Sequence, residues 1–542
     1  MSLLSVNGLR ISYTTAEETR EVVHGVSFDI QAGEVVAVVG ESGSGKTTVA
    51  QSVIGLLPAN GKLGAGEILL NGENIAGWSP KRMQGIRGSK IGLIPQDPSS
   101  SLNPVKTIGA QIGEVFTIHK RGNSAEAKKR VIELLERVGL SEPERRAGQY
   151  PHELSGGMRQ RVLIAIAIAL RPQLIIADEA TSALDVTVQR RVLDLLDDLR
   201  AESGTAILFV THDLAVAADR ADRLLVMRDG SIEEQGPTAE VMTAATSSYT
   251  RQLLRDAPSL GTATFRPLLA AVAADAAPAV PAVEAIDLVK EFGGKRGQQP
   301  FRALDGVSFS IARGTTHALV GESGSGKSTT ARLIMRFEQQ SSGTVRIDGD
   351  DVAGLKREGL RALRRRIQLV YQNPFGSLDP LQSVGSLIAE PMKNFAMGTR
   401  PERAKRAAEL LDLVALPQAF AERRPRELSG GQRQRVAIAR ALALDPEILI
   451  LDEAVSALDV TVQAQILDLL ASLQQQLGLT YLFISHDLAV VRQISDTISV
   501  MSRGRIVETG TTRDVLLRPA SEYTRELLDA VPGTHRTDSA PR

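Results

Sequence analysis

The chain has 542 residues, 43% hydrophobic and 23% charged, and its 63 basic and 63 acidic side chains cancel. That is too long for one ordinary domain and has the balance of a chain that buries sizeable cores. The neutral charge favours neither nucleic acid nor anionic lipid as a partner, and the absence of cysteine excludes disulfides, thiolate zinc sites and cysteine-ligated iron–sulfur clusters.

The opening MSLLSVNGLR lacks the charged-then-apolar order of a secretion signal. No apolar run approaches the ~20 residues that span a bilayer. The longest, Val162 to Leu170, follows a run of arginines and reads as a buried helix. The chain is therefore expected to be soluble, with any membrane role passing through a partner.

In chain order, the apolar run Val35 to Val39 reads as a strand buried on both faces of a parallel sheet. It leads directly into Gly40-Glu-Ser-Gly-Ser-Gly45-Lys46-Thr47, a P-loop pattern between a strand and a helix. Glycines let backbone N–H groups and a helix N-terminus wrap a polyphosphate. Gly40, Ser42, Gly43, Gly45, Lys46, Thr47 and Thr48 are the predicted ATP contacts, with Lys46 on the β/γ-phosphates and the Thr47 hydroxyl on Mg²⁺. Gln96, in IPQDP, is a candidate contact to metal and attacking water. Val131, Leu134, Leu135 and Val138 fall at i, i+3, i+4, i+7 and predict an amphipathic helix. It lies before the sequence LSGGMRQRV at 154–162 and implies a helical subdomain inserted into an α/β core. Asp178 and Glu179 close the next apolar strand, where ligands bind in open α/β sheets. The aspartate would hold Mg²⁺ through its hydration shell, and the glutamate would polarise the attacking water. His212 follows the strand ILFV and is a candidate γ-phosphate contact.

Residues 257–282 are dominated by Ala and Pro and suit a semi-extended linker, with a short alanine-rich helix as the alternative. Beyond them the whole unit is written again. The P-loop returns as Gly321, Ser323, Gly324, Gly326, Lys327, Ser328 and Thr329; Gln96 returns as Gln372, the acidic pair as Asp452-Glu453 and His212 as His486. Ala407, Leu410, Leu411 and Val414 repeat the helical spacing. The offset is 281 residues at the P-loop (40 to 321) and 274 at the later motifs (154 to 428, 178 to 452, 211 to 485). The predicted domains are therefore 1–256 and 283–542.

Together these residues resemble the ATP-binding-cassette family over nearly all of both halves, and the LSGGM and LSGGQ sequences ahead of each acidic pair single that family out. The resemblance implies two tandem α/β P-loop domains, each a mainly parallel sheet with an inserted helical subdomain and an antiparallel β part. It makes Ser155, Gly156 and Gly157, and Ser429, Gly430 and Gly431, the signature residues that meet the γ-phosphate of ATP held by the opposite domain. The P-loop at 40–48 would pair with the signature at 428–432, and the P-loop at 321–329 with that at 154–158, in a head-to-tail dimer within one chain. Asp185 and Asp459 match the loop that crosses this interface. Tyr13 sits where the adenine-stacking aromatic is expected, with Phe292 as its counterpart ahead of the irregular GGKRGQQP. Both sites carry their lysine, glutamate, serine and histidine, so both are expected to hydrolyse ATP; Met158 in place of glutamine is the one departure.

A narrower resemblance lies in DPSSSLNP at 97–104 and NPFGSLDP at 373–380, and in the tails SSYTRQLLRDAP (247–258) and SEYTRELLDAVP (521–532). These are similar to the cassettes of oligopeptide, dipeptide and nickel importers, which usually come as two subunits. The resemblance implies two integral-membrane permease subunits, an extracytoplasmic solute-binding protein, no nucleic acid, and a peripheral place on the cytoplasmic face of the inner membrane. A metal chelate, glutathione or a sugar is the alternative cargo. A soluble ribosome-associated cassette protein would carry a long charged linker instead, and a DNA-repair cassette enzyme would need cysteine zinc sites.

Overall fold

The computed structural model describes residues 2–15, 18–181, 184–257, 280–293, 300–372, 374–456 and 458–532. The chain divides into two compact units, one within residues 1–261 and the other within 262–531. Most of the Ala/Pro-rich segment and of GGKRGQQP lies outside the described residues.

In the first unit, Val35–Val39 is buried at every position. A run of β-branched residues with no polar face belongs in the middle of a sheet covered on both sides. It is central in a six-stranded sheet, ordered Ser231–Pro237, Arg223–Arg228, Val35–Val39, Ala206–Val210, Leu174–Asp178, Ile91–Ile94. All neighbours are parallel except the outermost hairpin, 223–237. A second, antiparallel sheet has the order Thr19–Ile30, Leu4–Thr14, Gly61–Leu70, Glu73–Asn74. Its inward side chains Leu4, Val6, Ile11 and Ile30 share one core with Val36, Val38, Ile176 and Leu208 of the parallel sheet.

Between the strands Ile91–Ile94 and Leu174–Asp178 the chain makes the inserted helices Ile108–Ile118, Ser124–Arg137 and Gly156–Ile168. Ser124–Arg137 starts at a capping box formed by Asn123 and Glu126. Of its predicted stripe, Val131, Leu135 and the C-cap Val138 are buried, and Leu134 is half-buried. The apolar stretch read as a buried helix lies in Gly156–Ile168, with Val162, Leu163, Ile164 and Ala165 all buried. Among the described residues no helix is long and apolar enough to cross a membrane.

The second unit repeats this plan. Its parallel sheet runs Ile367–Val370, Ile448–Asp452, Thr480–Ser485, Thr316–Val320, Thr497–Ser502, with Arg505–Thr511 antiparallel at the edge. Its antiparallel sheet runs Phe301–Ile311, Val283–Phe292, Ser342–Ile347, Asp350–Asp351. The inserted helices are Val384–Asn394, Arg400–Leu413 and Gly430–Leu442, and Ala407, Leu410, Leu411 and Val414 are all buried. The register repeats too: Leu4 pairs with Ile30 and Leu70, as Val283 pairs with Ile311 and Ile347.

Candidate active sites at the strand ends

Three neighbouring parallel strands end level with one another. Val38 pairs with Val210, and Val210 pairs with Asp178. The loop from Gly40, the pair Asp178-Glu179 and Thr211-His212 therefore leave the sheet together at its carboxyl edge, where open α/β sheets bind ligands.

The loop is shaped by backbone demands. Gly40 has φ 144°, and a Cβ there would lie 2.1 Å from the Met227 carbonyl, so only glycine fits. Gly45, at φ 97°, is the N-cap of helix Lys46–Val53 and no side chain caps that helix. Its first turn faces the loop, which together with the lysine forms a cradle suited to a polyphosphate. Lys46 Nζ donates to the carbonyls of Gly40 and Glu41, each at 2.7 Å. In the second unit Lys327 Nζ donates to Gly321 O at 2.7 Å and Glu322 O at 2.9 Å, below a helix capped by Gly326 at φ 109°.

Next to each cradle stand the acidic pairs. Thr47 Oγ1 donates to Asp178 Oδ1 at 3.0 Å, and Ser328 Oγ to Asp452 Oδ1 at 3.2 Å. Hydroxyl and carboxylate thus converge on one spot, a donor set fit for a hard cation such as Mg²⁺. Gln96 Nε2 donates to Glu179 Oε2 at 2.7 Å, and Gln372 Nε2 to Glu453 Oε2 at 2.6 Å. His212 Nδ1 lies 3.5 Å from Glu179 Oε1, and His486 Nδ1 lies 3.4 Å from Glu453 Oε1. Each unit therefore gathers its lysine, hydroxyl, aspartate, glutamate, glutamine and histidine at one strand edge.

The adjacent carboxyls are driven apart electrostatically. Burial pushes Asp178 up to about 6, and neighbouring Glu179 reinforces it against the Thr47 hydrogen bond and Lys46. Asp452 is raised for the same first reason. Glu179 and Glu453 are also raised by burial, but the hydrogen bond and charge of His212 or His486 outweigh it and leave both below the usual glutamate range. Burial lowers His486, and Glu453 overcompensates so that it ends raised. Such a split fits one carboxylate kept ionised beside a water and another that waits for a cation.

Sequence reading missed the backbone of the two glutamates. Glu179 has φ 46° and Glu453 φ 49°, in the left-handed region that non-glycine residues seldom occupy. Sequence reading also missed a tyrosine from each tail: the Glu41 N–H donates to Tyr249 Oη at 3.2 Å, and the Glu322 N–H to Tyr523 Oη at 3.4 Å. The repeated SSYT and SEYT mark these tails in the sequence, but the partner lies about 200 residues upstream and leaves no local signal.

Ser155 and Ser429 are exposed N-caps of the helices Gly156–Ile168 and Gly430–Leu442, and each Oγ accepts an N–H at 3.3 Å, from Met158 and Gln432. A Cβ on Gly431 would strike Val462 Cγ1 at 2.3 Å, so that signature packs close against the helix Val460–Leu477. Gly156, Gly157 and Gly430 lie half-buried in the same helix starts. Asp185 and Asp459 are N-caps, half-buried, of the helices Val186–Ser203 and Val460–Leu477. Tyr13 Oη lies 3.3 Å from Thr48 Oγ1 on the P-loop helix. Phe292 occupies the same strand position, pairing with Phe301 as Tyr13 pairs with Arg20, and Lys290 Nζ lies 4.9 Å from its ring centroid.

Fold and strand-edge chemistry are those of a P-loop ATPase present twice in one chain. More narrowly, the chain belongs to the ABC transporter family, whose model matches residues 23–182 and again 304–456. It is accordingly an ATP-binding protein and an ATPase. A second family, the oligopeptide/dipeptide transporter C-terminal region, matches residues 507–541. The chain is 42% identical to the glutathione import ATP-binding protein GsiA of Salmonella choleraesuis, over 100% of this chain and 91% of that one. It is 43% identical to the peptidoglycan transport ATP-binding protein YejF of Agrobacterium fabrum, over 97% and 96%. It is 42% identical to the oligopeptide transport ATP-binding protein OppD of Mycobacterium bovis, over 98% of each.

Proposed function

We propose that this chain is the ATP-hydrolysing component of an importer for di- or oligopeptides, working with two integral-membrane permease subunits and an extracytoplasmic binding protein. The observation that carries the peptide class is the oligopeptide/dipeptide C-terminal match at 507–541. Domains 1–256 and 283–542, joined by the linker 257–282, close head to tail on two ATP molecules. One site joins the P-loop at 40–48 to Ser429, Gly430 and Gly431; the other joins 321–329 to Ser155, Gly156 and Gly157. Asp185 and Asp459 line the interface, and Tyr13 and Phe292 stack on adenine.

Within each site Lys46 or Lys327 leaves its carbonyls for the phosphates. Thr47 with Asp178, or Ser328 with Asp452, would hold Mg²⁺ together with Gln96 or Gln372, and the ion would supply positive charge to offset that of the phosphates. Glu179 or Glu453, ionised by its histidine, orients the attacking water, while His212 or His486 contacts the γ-phosphate. ATP favours the closed pair, ADP does not, and that difference in affinity is what moves the permeases at the cytoplasmic face of the membrane.

The test is a mild-detergent pull-down of the tagged chain from its native membranes, followed by calorimetry on any co-purifying binding protein. Two polytopic permeases and a binding protein that takes short peptides support the reading. A binding protein that takes glutathione and not peptides favours the second reading, motivated by the 42% identity to a glutathione import protein over the whole chain. Recovery with ribosomes and no membrane protein overturns the transport role.

A further inference from the structure

We infer that the tail tyrosines Tyr249 and Tyr523 are positioning residues for the P-loop, each locking one peptide plane against which the nucleotide-binding lysine is set. The plane is the one between Gly40 and Glu41. Its carbonyl accepts from Lys46 Nζ at 2.7 Å, and its N–H donates to Tyr249 Oη at 3.2 Å. A peptide is rigid and planar, so holding it at both ends fixes its rotation. The restraint is placed where the chain is least able to supply its own. Gly40 has φ 144° and no side chain, so its torsions would otherwise let the plane turn. The second unit has the same arrangement: Gly321 has φ 147°, Lys327 Nζ meets its carbonyl at 2.7 Å, and the Glu322 N–H donates to Tyr523 Oη.

Each tyrosine is itself anchored away from the nucleotide. The Tyr249 ring is buried, with the Arg228 guanidinium 4.9 Å from its centroid. Its helix, Ser248–Asp256, begins at Ser247, whose Oγ accepts the Tyr249 N–H at 3.2 Å. The Glu234 carboxylate grips the turn before it, accepting the N–H groups of Thr246 at 2.7 Å and Ser247 at 3.2 Å. Glu508 does likewise in the second unit, accepting from Ala520 at 2.8 Å and Ser521 at 3.0 Å. A carboxylate that fixes a short tail, and a tail that presents one hydroxyl to the P-loop, occur twice in one chain. Before phosphate binds, the lysine rests on the Gly40 and Glu41 carbonyls; the tyrosine keeps the Gly40 carbonyl in place, so that plane does not turn when the lysine swings away.

The double variant Tyr249→Phe/Tyr523→Phe removes the two hydroxyls and keeps both rings. In the full chain we expect the Kd for a fluorescent N-methylanthraniloyl-ATP, and the KM for ATP, to rise about three- to tenfold, the worth of one hydrogen bond. The kcat should change less than about twofold, and the unfolding temperature without nucleotide should fall by no more than a few degrees, as the loss of one hydrogen bond in each unit requires. Amide hydrogen exchange at Glu41 and Glu322, read on the folded apo protein, should quicken and supplies evidence independent of activity. Unchanged Kd and unchanged exchange would overturn the inference. So would a fall in kcat that tracks a lowered unfolding temperature at constant KM, which is the mark of a merely structural residue.

Discussion

The two cassettes share a register, a site and a tail, yet their central strands differ in sequence, VVAVV at 35–39 against THALV at 316–320. Val36 in the first sheet is matched by His317 in the second, each four residues before the first P-loop glycine. His317 is 2% exposed, stacks on Phe309 with ring centroids 5.0 Å apart, and spends both ring nitrogens on hydroxyls, Thr497 Oγ1 at 2.8 Å and Ser499 Oγ at 3.0 Å. The corresponding first-sheet strand, Arg223–Arg228, has Arg223 and Leu225 opposite Val36 and Val38, with no such hydroxyls. One sheet is thus centred on apolar packing and the other on a buried polar network, while the catalytic edge above them stays the same. Nucleotide chemistry constrains the strand ends; the strand interiors need only fill space and satisfy their polar groups.

The sites themselves offer the strongest way to break this symmetry. Glu179→Gln/Glu453→Gln should lower steady-state ATP hydrolysis about 100-fold or more, since the water loses its orienting carboxylate. Either single variant should leave less than half of the wild-type rate. A Glu179→Gln chain that retains more than half would mean that the second site carries most of the turnover, and the structural likeness of the two edges would be no guide to their use.

Acid should separate the two units next. Burial pushes His317 from 6.5 down to about 4. The unfolded chain takes up this proton below pH 6.5 and the folded core refuses it until about pH 4. Stability from this residue is therefore full above pH 6.5 and is lost as pH falls through that window, by about 2 kcal/mol at pH 5. Urea unfolding of the full chain at pH 7 and pH 5 should show a transition that weakens with acid, and His317→Val should flatten that dependence. An unaltered pH slope in the variant would refute the assignment.

The smallest difference sits at the signatures. Gln432 Oε1 accepts the Ser429 N–H at 3.0 Å and completes a capping box; Met158 has no oxygen with which to do so for Ser155. Met158→Gln should close that box, slow amide exchange at Ser155 and stabilise the first signature helix by about 0.5 kcal/mol. Gln432→Met should do the reverse.

What the sequence disclosed and what it withheld follow one physical line. The P-loops, the acidic pairs and the histidines were legible because each is a short segment whose chemistry and flanking strand lie within ten residues. The inserted helices were legible through their 3.6 periodicity, down to the burial of Leu135 and Leu410. The Gln96–Glu179 and Glu41–Tyr249 contacts were not, because pairing across 83 and 208 residues is decided by the sheet and not by local pattern. Nor was His317, which by sequence is a lone histidine in an apolar run and becomes a network only when Thr497 and Ser499 arrive on the adjacent strand.

The left-handed glutamates have a mechanical corollary. The N–H of each glutamate still makes the parallel ladder's bond: Glu179 donates to Val210 O at 2.9 Å and Glu453 to Ile484 O at 3.0 Å. Val210 is the last residue of the strand that leads into Thr211-His212. The left-handed turn at the glutamate therefore begins only after its N–H has been held by the neighbouring strand. A hydrogen bond that ties the two strands level at their ends resists shear between them, so the glutamate beyond one strand and the histidine beyond the other keep their spacing.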